Sequence, residues 1–280
     1  GSETTEPIYD AGAAPFPFAP VPNMIIPYGI AAPFSAKSIG NSVLWLTETK
    51  DGTRQIISMQ GYDAQRVSTH AIEFALSQYN VVSDAVAFTY QDQGHAFYEL
   101  NFPSANATWV YDLSMQMWHE RGQWNSDTME YEVWGPQYHA LAFDKHLVGD
   151  PCNGVIYNMS TELFTDVDGK GLRRQRIPPA LKSEQHRIVF DHFQLHCDVG
   201  VGLVSGQGDD PEVMLQMSRD GGITWGSERW RSAGKIGEYL HRVQWWRLGS
   251  GRNLLPSITM TDPVPWRILD AYIAVKGSAH

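Results

Sequence analysis

Residues 83–121 read SDAVAFTYQDQGHAFYELNFPSANATWVYDLSMQMWHER, and this stretch decides the fold. Apolar and aromatic runs at Ala85–Tyr90, His95–Phe102, Thr108–Asp112 and Met117–Arg121 read as four successive strands joined by turns. Upstream, Val43-Leu-Trp-Leu46, the turn signal Asp51-Gly52 and Gln55-Ile-Ile-Ser-Met59 predict a hairpin. Between the two groups, Ser68-Thr69 precedes Ala71, Ile72, Ala75, Leu76 and Tyr79. That spacing behind a hydroxyl cap predicts about three turns of helix, the one substantial helix of the chain.

A repeat emerges when the runs are aligned. Leu44-Trp45, Ala87-Phe88 and Ala142-Phe143 open successive groups, and Arg66, Arg121 and Arg176 close them, 55 residues apart each time. The period falls in the range of four-stranded propeller blades, each of which needs neighbours to cover its faces. Ile8-Tyr9-Asp10 echoes Val110-Tyr111-Asp112, so residues 1–40 are expected to hold the last strand of an earlier blade followed by an irregular Pro/Ala-rich segment (11–36). On that reading the chain begins inside a propeller, short of its first blades, with Gly1-Ser2 either a cloning scar or native. Blades are then expected over 41–181. From 182 to 280, long alternating runs at Ile188–Gly202, Glu212–Met217, His241–Trp246, Ser257–Met260 and Ile268–Val275 predict a β-sandwich-like unit. The expected fold is therefore all-β: a partial β-propeller of about three blades, a C-terminal sandwich-like unit and one short helix.

Composition agrees with many short strands, since the 280 residues include Phe 11, Trp 10, Tyr 12, Gly 25 and Pro 16. With 21 Lys+Arg against 31 Asp+Glu, the net charge of −10 argues against broad binding to phosphate backbones. No stretch approaches the ~18 uninterrupted apolar residues of a membrane span, so no membrane partner is expected. Two cysteines, Cys152 and Cys197, do not make a disulfide scaffold and suit folding in a reducing cytosol.

Ser218-Arg-Asp220-Gly-Gly222-Ile-Thr224-Trp225 matches the S-x-D-x-G-x-T-W pattern, the Asp box of sialidase-like propellers. A short acid bonding turn amides, relaxed glycines and a Trp expected to anchor a core make this a structural staple. Other chemistry-bearing patterns are weaker. His192-x-x-x-His196-Cys197 lies in an alternating strand, where residues four apart stand about 13 Å from each other, too far for one ion. Asp166-x-Asp168-Gly169 opens like a calcium loop but lacks its later ligands. Glu99, Asp112, Glu120, Glu130 and Glu132 offer carboxylate pairs, and Trp118, Trp124, Tyr131 and Trp134 offer rings for sugars or bases. Blade core or protein interface explains such acids and rings as well, so no catalytic, cofactor-binding or metal-binding residue is assigned and no cofactor is expected. Trp109, Tyr111, Trp118 and Arg121 are expected to build the centre of one blade, with Asp112 a further structural-motif residue, and Trp225→Ala to open a core cavity.

Four stretches together carry a resemblance: residues 68–80 (STHAIEFALSQYN), 83–121, 213–247 (VMLQMSRDGGITWGSERWRSAGKIGEYLHRVQWWR) and 259–273 (TMTDPVPWRILDAYI). They resemble the packaged-DNA stabilisation proteins of short-tailed bacteriophages, also described as tail accessory or tail-hub proteins. The resemblance implies a non-enzymatic virion component. It would form a ring by self-association beneath the portal and its adaptor, close the DNA channel, and support tail needle, spikes or fibres. Contact with packaged DNA would be at most transient, with no sequence-specific nucleic-acid recognition. The alternative is a carbohydrate-active or carbohydrate-binding propeller, favoured by the Asp box and the aromatic density.

Overall fold

The computed structural model describes residues 1–182 and 186–277, apart from the Asp168 side chain. The chain divides into two units, Gly1–Ser160 and Thr161–His280.

The first unit is a series of antiparallel meanders. A two-stranded ribbon pairs β1 (Ile8–Asp10) with β2 (Phe18–Pro20). A four-stranded sheet follows, β3 (Lys37–Ile39), β4 (Ser42–Glu48), β5 (Arg54–Gln60) and β6 (Asp63–Arg66), each paired with the next. A short helix, α1 (His70–Ser77), leads to a five-stranded sheet. Its strands are β7 (Val86–Asp92), β8 (His95–Phe102), β9 (Ala107–Asp112), β10 (Met117–Asn125) and β11 (Glu130–Val133). Three strands complete the unit: β12 (Tyr138–Ala142), β13 (Lys145–Gly149) and β14 (Ile156–Met159).

The core of this unit shows why α1 forms. Ile72 and Leu76, one turn apart, are buried with Leu44, Leu46, Ile56, Tyr98, Leu100 and Phe102. Thr69 caps the helix by accepting from the Ile72 amide. The helix has eight residues, just over two turns, where three were expected. Beyond its last turn, Arg54 of β5 donates to the carbonyls of Leu76 and Tyr79, partnering groups that no further helical turn satisfies. Tyr79 instead turns its hydroxyl to accept from the Trp109 indole at 3.0 Å.

The second unit is built from two sheets. One orders β15 (Arg174–Arg176), β21 (Asn253–Met260), β18 (Glu212–Ser218) and β19 (Arg229–Ser232), with β16 (Leu181–Lys182) also pairing to β21. The other orders β20 (Val243–Gly251), β17 (Ile188–Cys197) and β22 (Ile268–Gly277). Phe190, Phe193, Leu195 and Trp245 of the second sheet share one core with Val213, Leu215, Leu254, Ile258 and Met260 of the first. Alternate residues of both sheets face inward, as a sandwich requires.

Three expectations are corrected here. Arg176 does not close a third blade: it sits on β15 and pairs with Ile258 in the sandwich. The division accordingly falls between residues 160 and 161 and not at 181/182. Phe143 does not open a strand either. It lies in the β12–β13 turn with φ of 55° and is 89% exposed. The 55-residue arginine spacing thus joins two strand residues of the first unit to one of the second.

Candidate functional site

Among the described residues, side chains capable of chemistry gather in three places, and in each most of the polar groups are engaged by the protein itself. The first is the Asp-box loop between β18 and β19. Ser218 Oγ donates to Asp220 Oδ1 at 2.7 Å and accepts from the Gly222 amide at 2.8 Å. Asp220 accepts from both the amide and the hydroxyl of Thr224. Gly222 has φ of 99°, and a Cβ there would meet Leu255 at 3.3 Å, so the loop closes tightly only with glycine at this place. Trp225 departs from expectation: it is only half-buried and is not part of the sandwich core. The loop leaves the sheet before residue 225, and Trp245 from the opposite sheet fills the core instead.

The hydrogen bonds from Thr224 and Ser218 hold the Asp220 carboxyl well below the usual carboxylate range. A depressed acid stabilises above its ordinary pKa and loses that contribution as pH falls. Asp220→Ala is therefore expected to lower the protection factors of the Gly222 and Thr224 amides at neutral pH, and strong acidification of the native chain to lower them in part as well. Unchanged protection at both amides would show that the loop is held by something else.

The second place is the five-stranded sheet, where Glu99, Tyr90, Arg121 and Trp134 meet. Arg121 donates to Glu99 Oε2 at 2.6 Å and to the Tyr90 hydroxyl at 2.8 Å. Its guanidinium lies 4.9 Å from the Trp134 ring centre. Glu99 is fully buried, and its Oε1 makes no hydrogen bond. Burial pushes the Glu99 carboxyl up to about 7, with Arg121 pulling the other way. Against the same aromatic surface, His139 of β12 stacks on Phe88 and bonds His146 of β13 at 2.9 Å.

Trp109, Tyr111 and Trp118 do form one cluster: Tyr111 pairs with Trp118 across β9–β10, with ring centres 4.9 Å apart, and the Trp118 indole donates to the Val67 carbonyl. Arg121 is not part of it. Three residues beyond Trp118 on a strand, it points to the opposite face, toward Glu99. Asp112 ends β9, bonds His95 at 2.7 Å and accepts from the Ser114 and Met115 amides. Asp10 accepts from the Gly12 amide in a similar turn, so the Ile-Tyr-Asp echo reappears as local geometry.

The rings read from sequence as one group have separate surroundings. Trp124 stacks edge-on with Tyr131, Trp134 lies under Arg121, and Trp118 packs on Tyr111. Of the acids considered as pairs, Glu99 is sealed from solvent, while Glu130 and Glu132 lie on β11. His192 is on a strand, as expected, and stacks on Trp246 at 4.5 Å. Asp166 caps a short 3-10 turn by accepting from the Val167 amide.

The third place lies along β20. Arg219, Arg229 and Arg231 donate to the carbonyls of Leu248, of Trp246 and Arg247, and of Gln244 along β20. The signal for it was the distribution of arginine along the chain. Residues 1–160 hold 6 Lys+Arg and 17 Asp+Glu, and residues 161–280 hold 15 and 14.

A blade-built unit followed along the chain by a two-sheet sandwich defines a protein of the propeller-plus-sandwich class. The chain belongs to the bacteriophage P22 Gp10 family: residues 1–163 match the family model described as its beta-propeller, and residues 173–276 the one described as its beta-sandwich. No curated protein matches the chain. Among solved structures, similarity is found to a glycoside hydrolase family 43 arabinoxylan arabinofuranohydrolase from Bacillus subtilis in complex with cellotetraose. The identity is 8% and the TM-score 0.25, over 89% of this chain and 56% of that one. A second glycoside hydrolase shares 11% identity over 82% of this chain and 70% of that one, with a TM-score of 0.20. Likeness at these scores carries no argument about function.

Proposed function

We propose that this phage structural protein is a tail component that closes the portal channel after packaging, retains the genome and gives the tail needle, spikes or fibres a platform. Its partners on this reading are the portal adaptor, other tail proteins and further copies of itself in a ring. The observation that carries the reading is the tandem match of both units to one phage structural family, over nearly the whole chain. The charge distribution supports it, because a unit with a net −11 repels the phosphate backbone it would confine. The role is structural, without catalysis.

The test adds the full chain to DNA-filled heads lacking it and measures DNA protected from nuclease. Protection that rises with the amount of chain bound is the expected result. Chain that stays unattached, with no gain in protection, would overturn the reading. So would hydrolysis of a model glycoside that is lost on replacing a single carboxylate.

A further inference from the structure

The sandwich carries a positive edge. Between residues 219 and 252 there are 7 Lys+Arg and 3 Asp+Glu. Arg219, Arg229 and Arg231 are fixed along β20 by backbone carbonyls, which leave their charge intact. Arg242 and Arg247 are exposed beside them, Arg247 at φ of 59° within a bulge that turns it away from the regular ladder. Among the described residues none of these five makes an ion pair.

The first unit carries the complementary surface. From residue 122 to 144 there is no Lys or Arg, but Asp127, Glu130, Glu132 and Asp144. Three of these lie on the β10–β11 hairpin, whose outer strand β11 is the edge of the five-stranded sheet. Asp127 and Glu130 are exposed. Glu130 and Glu132 share one face of β11, where Glu132 accepts from Asn125.

From this complementarity we infer that the arginine edge of the sandwich docks on the acidic β10–β11 hairpin of a second copy of this chain. The contact joins two different surfaces, so copies add head to tail, and a fixed rotation between them closes a ring. Opposed charge of this kind governs partner choice and encounter rate and weakens with salt. The inference names the surfaces behind the self-association proposed above but rests on charge placement. A chain that failed to protect heads would still be able to show it.

The experiment is sedimentation velocity on the full chain at several concentrations, from about 50 mM to about 500 mM salt. Native chain is expected to self-associate at low salt and dissociate at high salt. Arg242→Glu/Arg247→Asp and Glu130→Lys/Glu132→Lys are each expected to weaken association about tenfold or more. The first pair leaves the carbonyl-bound arginines in place, and circular dichroism checks that each variant is folded. An equimolar mixture of the two variants matches the native hairpin only with the native arginine edge and the reversed hairpin only with the reversed edge. It is expected to form heterodimers beyond what either variant forms alone. Association indifferent to salt and to both reversals would overturn the inference. So would the absence of self-association alongside salt-sensitive binding of duplex DNA, which would make a phosphate backbone the partner of the arginine edge.

Discussion

Arg121→Met is expected to lower the free energy of unfolding by about 3–5 kcal/mol, because it leaves the Glu99 carboxylate buried with no opposing charge. The loss should depend on pH. Burial raises the folded Glu99 carboxyl from its ordinary value near 4.5 to about 7. A group raised on folding stabilises fully below its unfolded pKa and loses that contribution as pH climbs through the folded one. Native stability therefore carries a declining contribution between about pH 4.5 and 7. In Arg121→Met the decline should extend to higher pH, because the guanidinium that opposed the upward shift is gone. Glu99→Gln should flatten it, and Glu99→Leu/Arg121→Met should recover most of the stability by removing both charges together. Urea unfolding at pH 5 and pH 8, followed by tryptophan fluorescence, reads all four proteins. A loss in Arg121→Met under about 1 kcal/mol and equal at both pH values would exclude a stabilising role for the pair.

Trp245→Ala is expected to cost about 3–5 kcal/mol in the sandwich. The side chain is fully buried, packs against Phe193 with ring centres 5.8 Å apart, and donates its indole N–H to the Arg229 carbonyl at 2.8 Å. Its removal opens a cavity between the sheets and strips a partner from β19. Trp225→Ala, at the half-buried end of the Asp-box loop, should cost about 1 kcal/mol. Comparing the two by thermal unfolding tests the placement of the core. Equal losses would mean that residue 225 penetrates the sheets after all.

Why one tryptophan was misjudged and much else was legible comes down to the range of the interactions. Strand positions in 85–121 and the Thr69 cap follow from local periodicity and hydroxyl chemistry, and both appear within a residue or two of expectation, except that β10 runs four residues past Arg121 to Asn125. The Asp-box hydrogen bonds are likewise confined to eight consecutive residues. Trp225 and Arg176 fail because burial and pairing are set by distant chain: the sandwich core holds Trp245 and not Trp225, and Arg176 pairs with β21, about eighty residues on. The helix end was missed for the same reason, since Arg54, which partners its last carbonyls, comes from β5. Arg121 is a different case. The alternation of a strand already sets it on the opposite face from Trp118. Its buried partner Glu99, however, comes from a non-adjacent strand, and periodicity alone does not identify it.

The three guanidinium groups along β20 have one more consequence. An outermost strand offers a line of carbonyl oxygens to which any extended peptide can add itself, and this is how sheets recruit foreign chains and seed fibrils. On β20 the oxygens of Gln244, Trp246, Arg247 and Leu248 already accept from arginine side chains. A newcomer would have to break charge-assisted hydrogen bonds before forming ordinary ones. This margin of the sandwich is therefore closed to templated strand growth, while the positive charge that closes it remains on the surface.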